Sequence, residues 1–163
     1  MNAVRPIFER LTGGLDYPML IVTTAVADRR AGCLVGFATQ CSIDPPRFLV
    51  CISDKNHTCA VARDAEAMAI HFPPAGAMHL ARLFGSETGD RIDKFARCRW
   101  RRGPGELPIL EECGRWFAGR ILERRRLGDH FGFVLDPFAA EDDGRTDTLA
   151  SQDAMQLEPG HDA

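Results

Sequence analysis

The sequence predicts a mainly β domain: an antiparallel, barrel-like sheet with flanking helices covering its gaps. Three observations carry this. Segments rich in β-branched and aromatic residues outnumber amphipathic helical ones. They follow one another as hairpins with short polar turns, not as strands alternating with long helices. The 163 residues, 45% apolar and 26% charged, suffice for one core and are too few for two.

In chain order, residues 8–12 read as a short helix stopped by Gly13 and Gly14. Residues 19–27 carry Ile21, Val22, Thr23, Thr24 and Val26 and read as a strand. Residues 28–32 form a polar turn, and 33–37 pair back as the second arm of a hairpin. Residues 36–46 read as a polar, donor-rich turn, with Pro45 and Pro46 setting the entry to a strand at 47–53. That strand is apolar nearly throughout and therefore central. A polar loop, 53–58, leads into a helix at 59–63, with Asn56 or Thr58 as N-cap. A fourth strand spans 67–72 and ends at Pro73 and Pro74. Residues 77–84 form a helix with Met78, Leu80, Ala81, Leu83 and Phe84 on its apolar side, broken at 85–89. Residues 90–95 are short helical or irregular, and 103–105 a loop. Strands at 116–123 and 131–135 are joined through the arginine run and Leu127-Gly128-Asp129. Residues 1–140 thus read as one domain. Residues 141–163 form a polar, acidic C-terminal tail, a loose end or a surface arm.

Net charge is -3, which argues against nucleic acid or an anionic membrane as partner. The basic clusters at 97–102 and 124–126 read as solvated loop and strand-edge charge rather than a phosphate track. No apolar run approaches the length of a membrane span, and the N-terminus lacks an apolar signal region. The six cysteines show no Cys-x-x-Cys and no zinc spacing, which points to a reducing, cytoplasmic protein without metal or disulfides.

Three segments carry candidate chemistry. The turn at 36–46 offers backbone N–H groups and the small side chains Thr39, Cys41 and Ser42, suited to a flat polar ligand or to an ordinary hairpin connection. The loop Ser53-Asp54-Lys55-Asn56-His57-Thr58 combines hydroxyls and cations before a helix, which suits a terminal phosphate or simply a capped helix. In Gly128-Asp129-His130, Asp129 is placed to orient the imidazole of His130. A histidine at a strand start also serves as a hydrogen-bonded structural residue. His71 and His79 lie on apolar segments and read as satisfied core or interface residues; His161 is in the tail. No Ser/His/Asp arrangement, paired carboxylates or Gly-x-Gly-x-x-Gly turn is present.

The order of several motifs resembles the flavin reductase-like, FMN-binding split β-barrel family. They are Ala38-Thr39-Gln40-Cys41-Ser42-Ile43-Asp44-Pro45-Pro46, Leu49-Val50-Cys51-Ile52-Ser53-Asp54-Lys55-Asn56-His57-Thr58, Ala81-Arg82-Leu83-Phe84-Gly85, Asp93-Lys94-Phe95 and Gly128-Asp129-His130. The resemblance spans residues 8–136. It implies a Greek-key-like split barrel of about six strands and a homodimer with FMN, or FAD, near the subunit interface. It implies that Thr39, Gln40, Cys41 and Ser42 hold the isoalloxazine and ribityl groups. Ser53, Asp54, Lys55, His57 and Thr58 would hold the phosphate. Phe84, Gly85, Lys94 and Phe95 would lie near the flavin or the neighbouring subunit, and Gly128, Asp129 and His130 at the nicotinamide. The implied activity is NADH- or NADPH-dependent flavin reduction, with a flavin-dependent monooxygenase as the implied partner. An FMN-binding electron-transfer or sensor protein, a deazaflavin-dependent oxidoreductase and an empty-barrel interaction module are the alternatives. Reductase-type members carry a glycine five residues after the motif histidine; here Leu135 stands there, and Gly132 falls earlier.

Overall fold

Alternation within residues 20–26 builds the first layer. In the computed structural model, which describes residues 4–155 and 157, Leu20–Val26 (β1) pairs antiparallel with Arg29–Val35 (β2). The turn between them is only Ala27 and Asp28, and Ala27 adopts a left-handed φ of 53°. Arg29 and Arg30, expected in the turn, are instead the exposed start of β2. Ala38–Ser42 (β3) is an edge strand on Arg47–Ser53 (β4), so the middle of the expected turn at 36–46 is strand and the turn itself is confined to residues 43–46. Its side chains do not alternate apolar with polar because both its faces are largely wet. His57–Ala62 (α2) follows, capped by the Asn56 side chain accepting from Thr58 N–H at 2.8 Å. Then come Ala67–His71 (β5) and Met78–Ser86 (α3).

The expected loop at 103–105 joins the arms of a small hairpin, Trp100–Arg102 (β6) and Pro108–Leu110 (β7), for which no strands were expected. The last two strands are longer than expected: Trp116–Leu127 (β8) and His130–Glu141 (β9). The arginine run lies inside β8, in the half that extends into solvent. Its charges are largely paired, Arg126 to Asp54 at 2.6 Å and Arg124 to the Ala65 carbonyl, as are Arg101 to Glu141 and Arg102 to Glu106 in the other basic cluster. This agrees with the solvated-charge reading.

The main sheet is seven-stranded and antiparallel, in the order β2-β1-β5-β8-β9-β4-β3. Its outermost strands, β2 and β3, are joined by Gly36 and Phe37 alone. A sheet whose edges are neighbours in sequence must curl, and its concave side encloses Leu20, Val22, Val50, Ile52, Met68, Ile70, Phe133 and Leu135. Cys59 and Ala62 of α2 join that core. On the convex side, Ile21 packs with Leu80 and Phe84 of α3, and the β6–β7 hairpin covers Ala69, Trp116 and Ala118 through Leu107 and Ile109.

Polar groups on the convex face are spent on seams between layers. Thr23 donates to the Pro108 carbonyl at 2.6 Å. His71, fully buried, contacts the Ile21 carbonyl through Nδ1 and accepts the Leu110 N–H at Nε2, both at 3.1 Å. It is therefore neutral with the proton on Nδ1, and burial lowers its pKa from 6.5 to about 4. His71 matches its reading as a satisfied core residue. His79 is not a core residue: it is mostly exposed and paired with Glu112 at 2.6 Å.

The segment after β9 is a surface arm over its described length. Leu149 is fully buried, Met19 N–H donates to its carbonyl at 2.8 Å and its own N–H donates to Pro73 at 2.9 Å. Ser151–Ala154 forms a short helix (α4). Gly160 and His161 lie outside the described residues. The first helix, Val4–Gly13 (α1), buries none of its residues.

Candidate functional site

A cleft of about 170 Å³ opens where the curled sheet comes round on itself. One wall is the end of β2 with Gly36 and Phe37; the other is Cys51, Ile52 and Ser53 of β4, beyond its pairing with β3. Asn56 and His130 complete it.

His130 reaches the cleft through strand register. It is the first residue of β9, directly opposite Ser53. The turn before it is two residues long, and Gly128 takes a left-handed φ of 71°, which favours glycine. Asp129 accepts from His130 Nδ1 at 2.7 Å, as the local spacing suggested. The hydrogen bond from His130, then its charge, holds the Asp129 carboxyl below its usual range. His130 Nε2 has no hydrogen-bond partner among the described residues, and the ring stands 5.2 Å from that of Phe37. The phosphate-like loop is tied to the same turn: Asp54 N–H donates to the Asp129 carbonyl at 2.9 Å.

The loop 53–58 does not gather its side chains in one place. Ser53 and Asn56 line the cleft. His57 faces a neighbouring cavity and pairs with Asp90 at 2.8 Å. Thr58 is buried, its hydroxyl on the Cys33 thiol, whose pKa burial raises to about 11. Asp54 is engaged by Arg126.

The two expected ligand turns do not share one cavity within a single chain. Thr39 lies opposite Leu49 and Gln40 opposite Phe48, four and five residues along β4 from Ser53, or about 13–17 Å. Gln40, Cys41 and Ser42 border a separate open hollow with Ile43 and Asp44. The Gln40 amide is folded onto the Ser42 carbonyl at 3.0 Å.

The remaining candidates lie behind β2. Gly85 is where α3 meets the strand; a Cβ there would come within 2.9 Å of Leu34. Phe84 and Phe95 are buried edge to face, with centroids 5.8 Å apart. Lys94 is 4% exposed and donates to the carbonyls of Gly32 at 2.9 Å and Phe84 at 3.2 Å. Desolvation lowers its pKa. Lys94 and Phe95 form part of the floor of the cavity that His57 faces.

Leu135 is fully buried in the core, against Gly119, where a Cβ would come within 2.8 Å of its own. The departure from the reductase pattern at this position is thus a core exchange, not a change in the cleft. Phe37 and Cys51 are cleft residues to which the sequence reading gave no site role; the signal for Phe37 was a large aromatic beside a glycine at a strand junction. Among the described residues no group of metal-ligating side chains gathers, all six cysteines are free, and no helix is long and apolar enough to cross a membrane.

The family described as "Flavin reductase like domain" matches residues 12–155. The FMN reductase (NADH) RutF of Bradyrhizobium diazoefficiens is 29% identical over 129 residues, 79% of this chain and 71% of that one. The stachydrine N-demethylase reductase subunit Stc3 of Rhizobium meliloti is 31% identical over 117 residues, 69% of this chain; the match spans only 50% of that subunit's length. Among solved structures, an FMN-binding protein from Thermus thermophilus superposes with a TM-score of 0.75 at 30% identity, covering 80% of this chain and 74% of that one. The chain belongs to the flavin reductase-like domain family.

Proposed function

We propose that this member of the flavin reductase-like family is an NAD(P)H-dependent flavin reductase, built as a split barrel and working as a homodimer. The observation that carries the reading is His130, oriented by Asp129 and presented with a vacant Nε2 at a cleft that also holds Ser53, Asn56 and an aromatic wall, Phe37. A planar ring with a polar edge and a phosphate fits that donor set. The similarity to an FMN reductase (NADH) and to an FMN-binding protein supports it.

Bound flavin, FMN or FAD, would supply the hydride acceptor and NADH or NADPH the hydride, so the redox chemistry would belong to the two nucleotides. The chain's own part is placement. The backbone from Phe37 through Thr39 to Ser42 borders the ring and ribityl chain. Ser53, Lys55 and His57 receive the phosphate, with Asn56 and Thr58 shaping the loop and Asp54 fixing it to the β8–β9 turn. His130 donates or accepts at the nicotinamide carboxamide, and the Asp129 carboxylate keeps its ring from rotating. It need not exchange a proton. Phe84, Gly85, Lys94 and Phe95 support β2 from behind.

A second copy has two reasons to be there. The cleft is smaller than the ~300 Å³ and more that enclose most ligands, and the ring-side strand β3 lies open beside it. The exposed apolar stripe Val4, Ile7, Phe8 and Leu11 of α1 also asks for cover. The working context of this reading is a cytoplasmic protein that releases reduced flavin to a monooxygenase; a relative named as the reductase subunit of a demethylase supports a partner enzyme.

The test is steady-state NADH and NADPH oxidation with FMN and FAD, alongside the absorbance spectrum of the purified protein. Turnover with free flavin is expected. A yellow protein that keeps its flavin on dialysis and oxidises neither nucleotide would instead be an electron carrier or sensor; no quenching of FMN at high micromolar concentration would remove the flavin reading altogether.

A further inference from the structure

We infer that the cavity next to the cleft receives the outer phosphate and adenosine of FAD, so that the protein prefers the flavin dinucleotide to FMN. This rests on the flavin reading above and extends it.

The cavity holds about 400 Å³ and opens along residues 29–32 of β2. Residues 33–36, next in the chain, border the cleft. Asn56 lines the cleft and His57 the cavity, so the two hollows adjoin along both a strand and a loop. At about 3.3 Å per residue their midpoints on β2 lie about 13 Å apart. A ligand with its ring in the cleft and its first phosphate on the loop of Ser53, Lys55 and His57 therefore has a continuation along β2. FMN ends at that first phosphate. FAD carries a second phosphate and an adenosine, which need both room and cationic donors.

The cavity's charges are not all committed. Asp90 is held by His57 at 2.8 Å, and Asp93 caps the Phe95 N–H at 3.0 Å. Lys94 is spent on two carbonyls, and Arg29 leans toward Asp64 at 3.6 Å. Asp28 is the remaining acid. Against it stand two arginines. Arg30 lies over the Trp100 ring at 4.7 Å, which uses the face of the guanidinium and leaves its in-plane N–H groups. Arg91 has no side-chain partner among the described residues and lines the same wall. Planar guanidinium donors at the rim of a roomy cavity suit a bridging phosphate. A nicotinamide dinucleotide has the same diphosphate, and its reactive end belongs at His130 in the same cleft, so the KM for NADH measured in parallel decides between the two.

The experiment is titration of the full-length protein with riboflavin, FMN and FAD by fluorescence quenching, with KM for NADH measured in parallel. The wild type is expected to bind FAD about tenfold more tightly than FMN. In Arg30→Ala/Arg91→Ala the ratio of the two affinities falls to about one. Arg91→Gln alone, which disturbs no packing, moves the ratio the same way by about threefold. Equal affinity for the two flavins in the wild type overturns the inference. So does an equal weakening of both, which would assign the arginines to the first phosphate, or a change confined to the KM for NADH. FMN binding with an unmoved ratio sinks this inference and spares the flavin reading; if neither flavin binds, both fall together.

Discussion

His71 and His130 belong to the same curled sheet and differ in how many ring nitrogens the protein uses. At His71 both are taken, one by the Ile21 carbonyl and one by the Leu110 N–H, and no surface remains. At His130 one nitrogen meets Asp129, and the other is left at the rim of a cleft. The first imidazole staples β7 to the sheet. The second is held in one pose with a valence to spare. The residue type tells nothing by itself; what separates structure from chemistry is whether the fold consumes the last donor or acceptor.

The sharpest way to break this comparison is to truncate each ring. His71→Ala strands a buried carbonyl and a buried N–H and is expected to cost about 3–5 kcal/mol, read by denaturant melts. A loss below 1 kcal/mol would mean the staple is dispensable. The pH dependence should follow the same group. Its folded pKa lies below its unfolded one, so the unfolded chain binds more protons between pH 6.5 and about 4. Stability is present above pH 6.5 and falls toward pH 4 by about 3 kcal/mol, with no further loss from this residue below that. Replacing His71 should remove that share of the slope.

His130→Ala is expected to leave the melting temperature within about 2 °C while lowering kcat/KM for NADH by about 10- to 100-fold. An unchanged rate would take His130 out of the mechanism. Asp129→Asn should be milder, about three- to tenfold in kcat/KM, because the ring loses its charged anchor but keeps a hydrogen-bond acceptor. An effect as large as that of His130→Ala would show that Asp129 does more than orient.

The same contrast runs through what the sequence disclosed. The buried strands β1, β4 and β5 were plain because Val22, Val50 and Ile70 recur where a core needs them, and the helix cap was narrowed to Asn56 or Thr58 because a capping side chain acts locally. Strands held by pairing rather than burial were not. Arg101 and Arg102 in β6, Arg124 to Arg126 in β8 and Thr39 to Ser42 in β3 look like loop residues, since nothing apolar marks a backbone whose hydrogen bonds go to a neighbour. Leu149 was a single apolar residue in a polar stretch, and its burial depends on contacts with Met19 and Pro73 far away in the chain. At the site, the Asp129–His130 pair was legible because it is adjacent in sequence. The separation of Gln40 from Ser53 was not, because it is set by the register of β3 on β4.

The junction of Gly36 and Phe37 bears on how the molecule assembles. Long segments must be searched and ordered before β5 can find β1 or β8. Laying β3 against β4 requires only one short reversal, and β2 is then delivered to the seam by a tether too short to wander. Rounding up the sheet thus adds almost no further loop entropy once its middle strands are in place. The groove where a ligand would rest exists only with both edges in place, so a ligand held there favours the completed sheet.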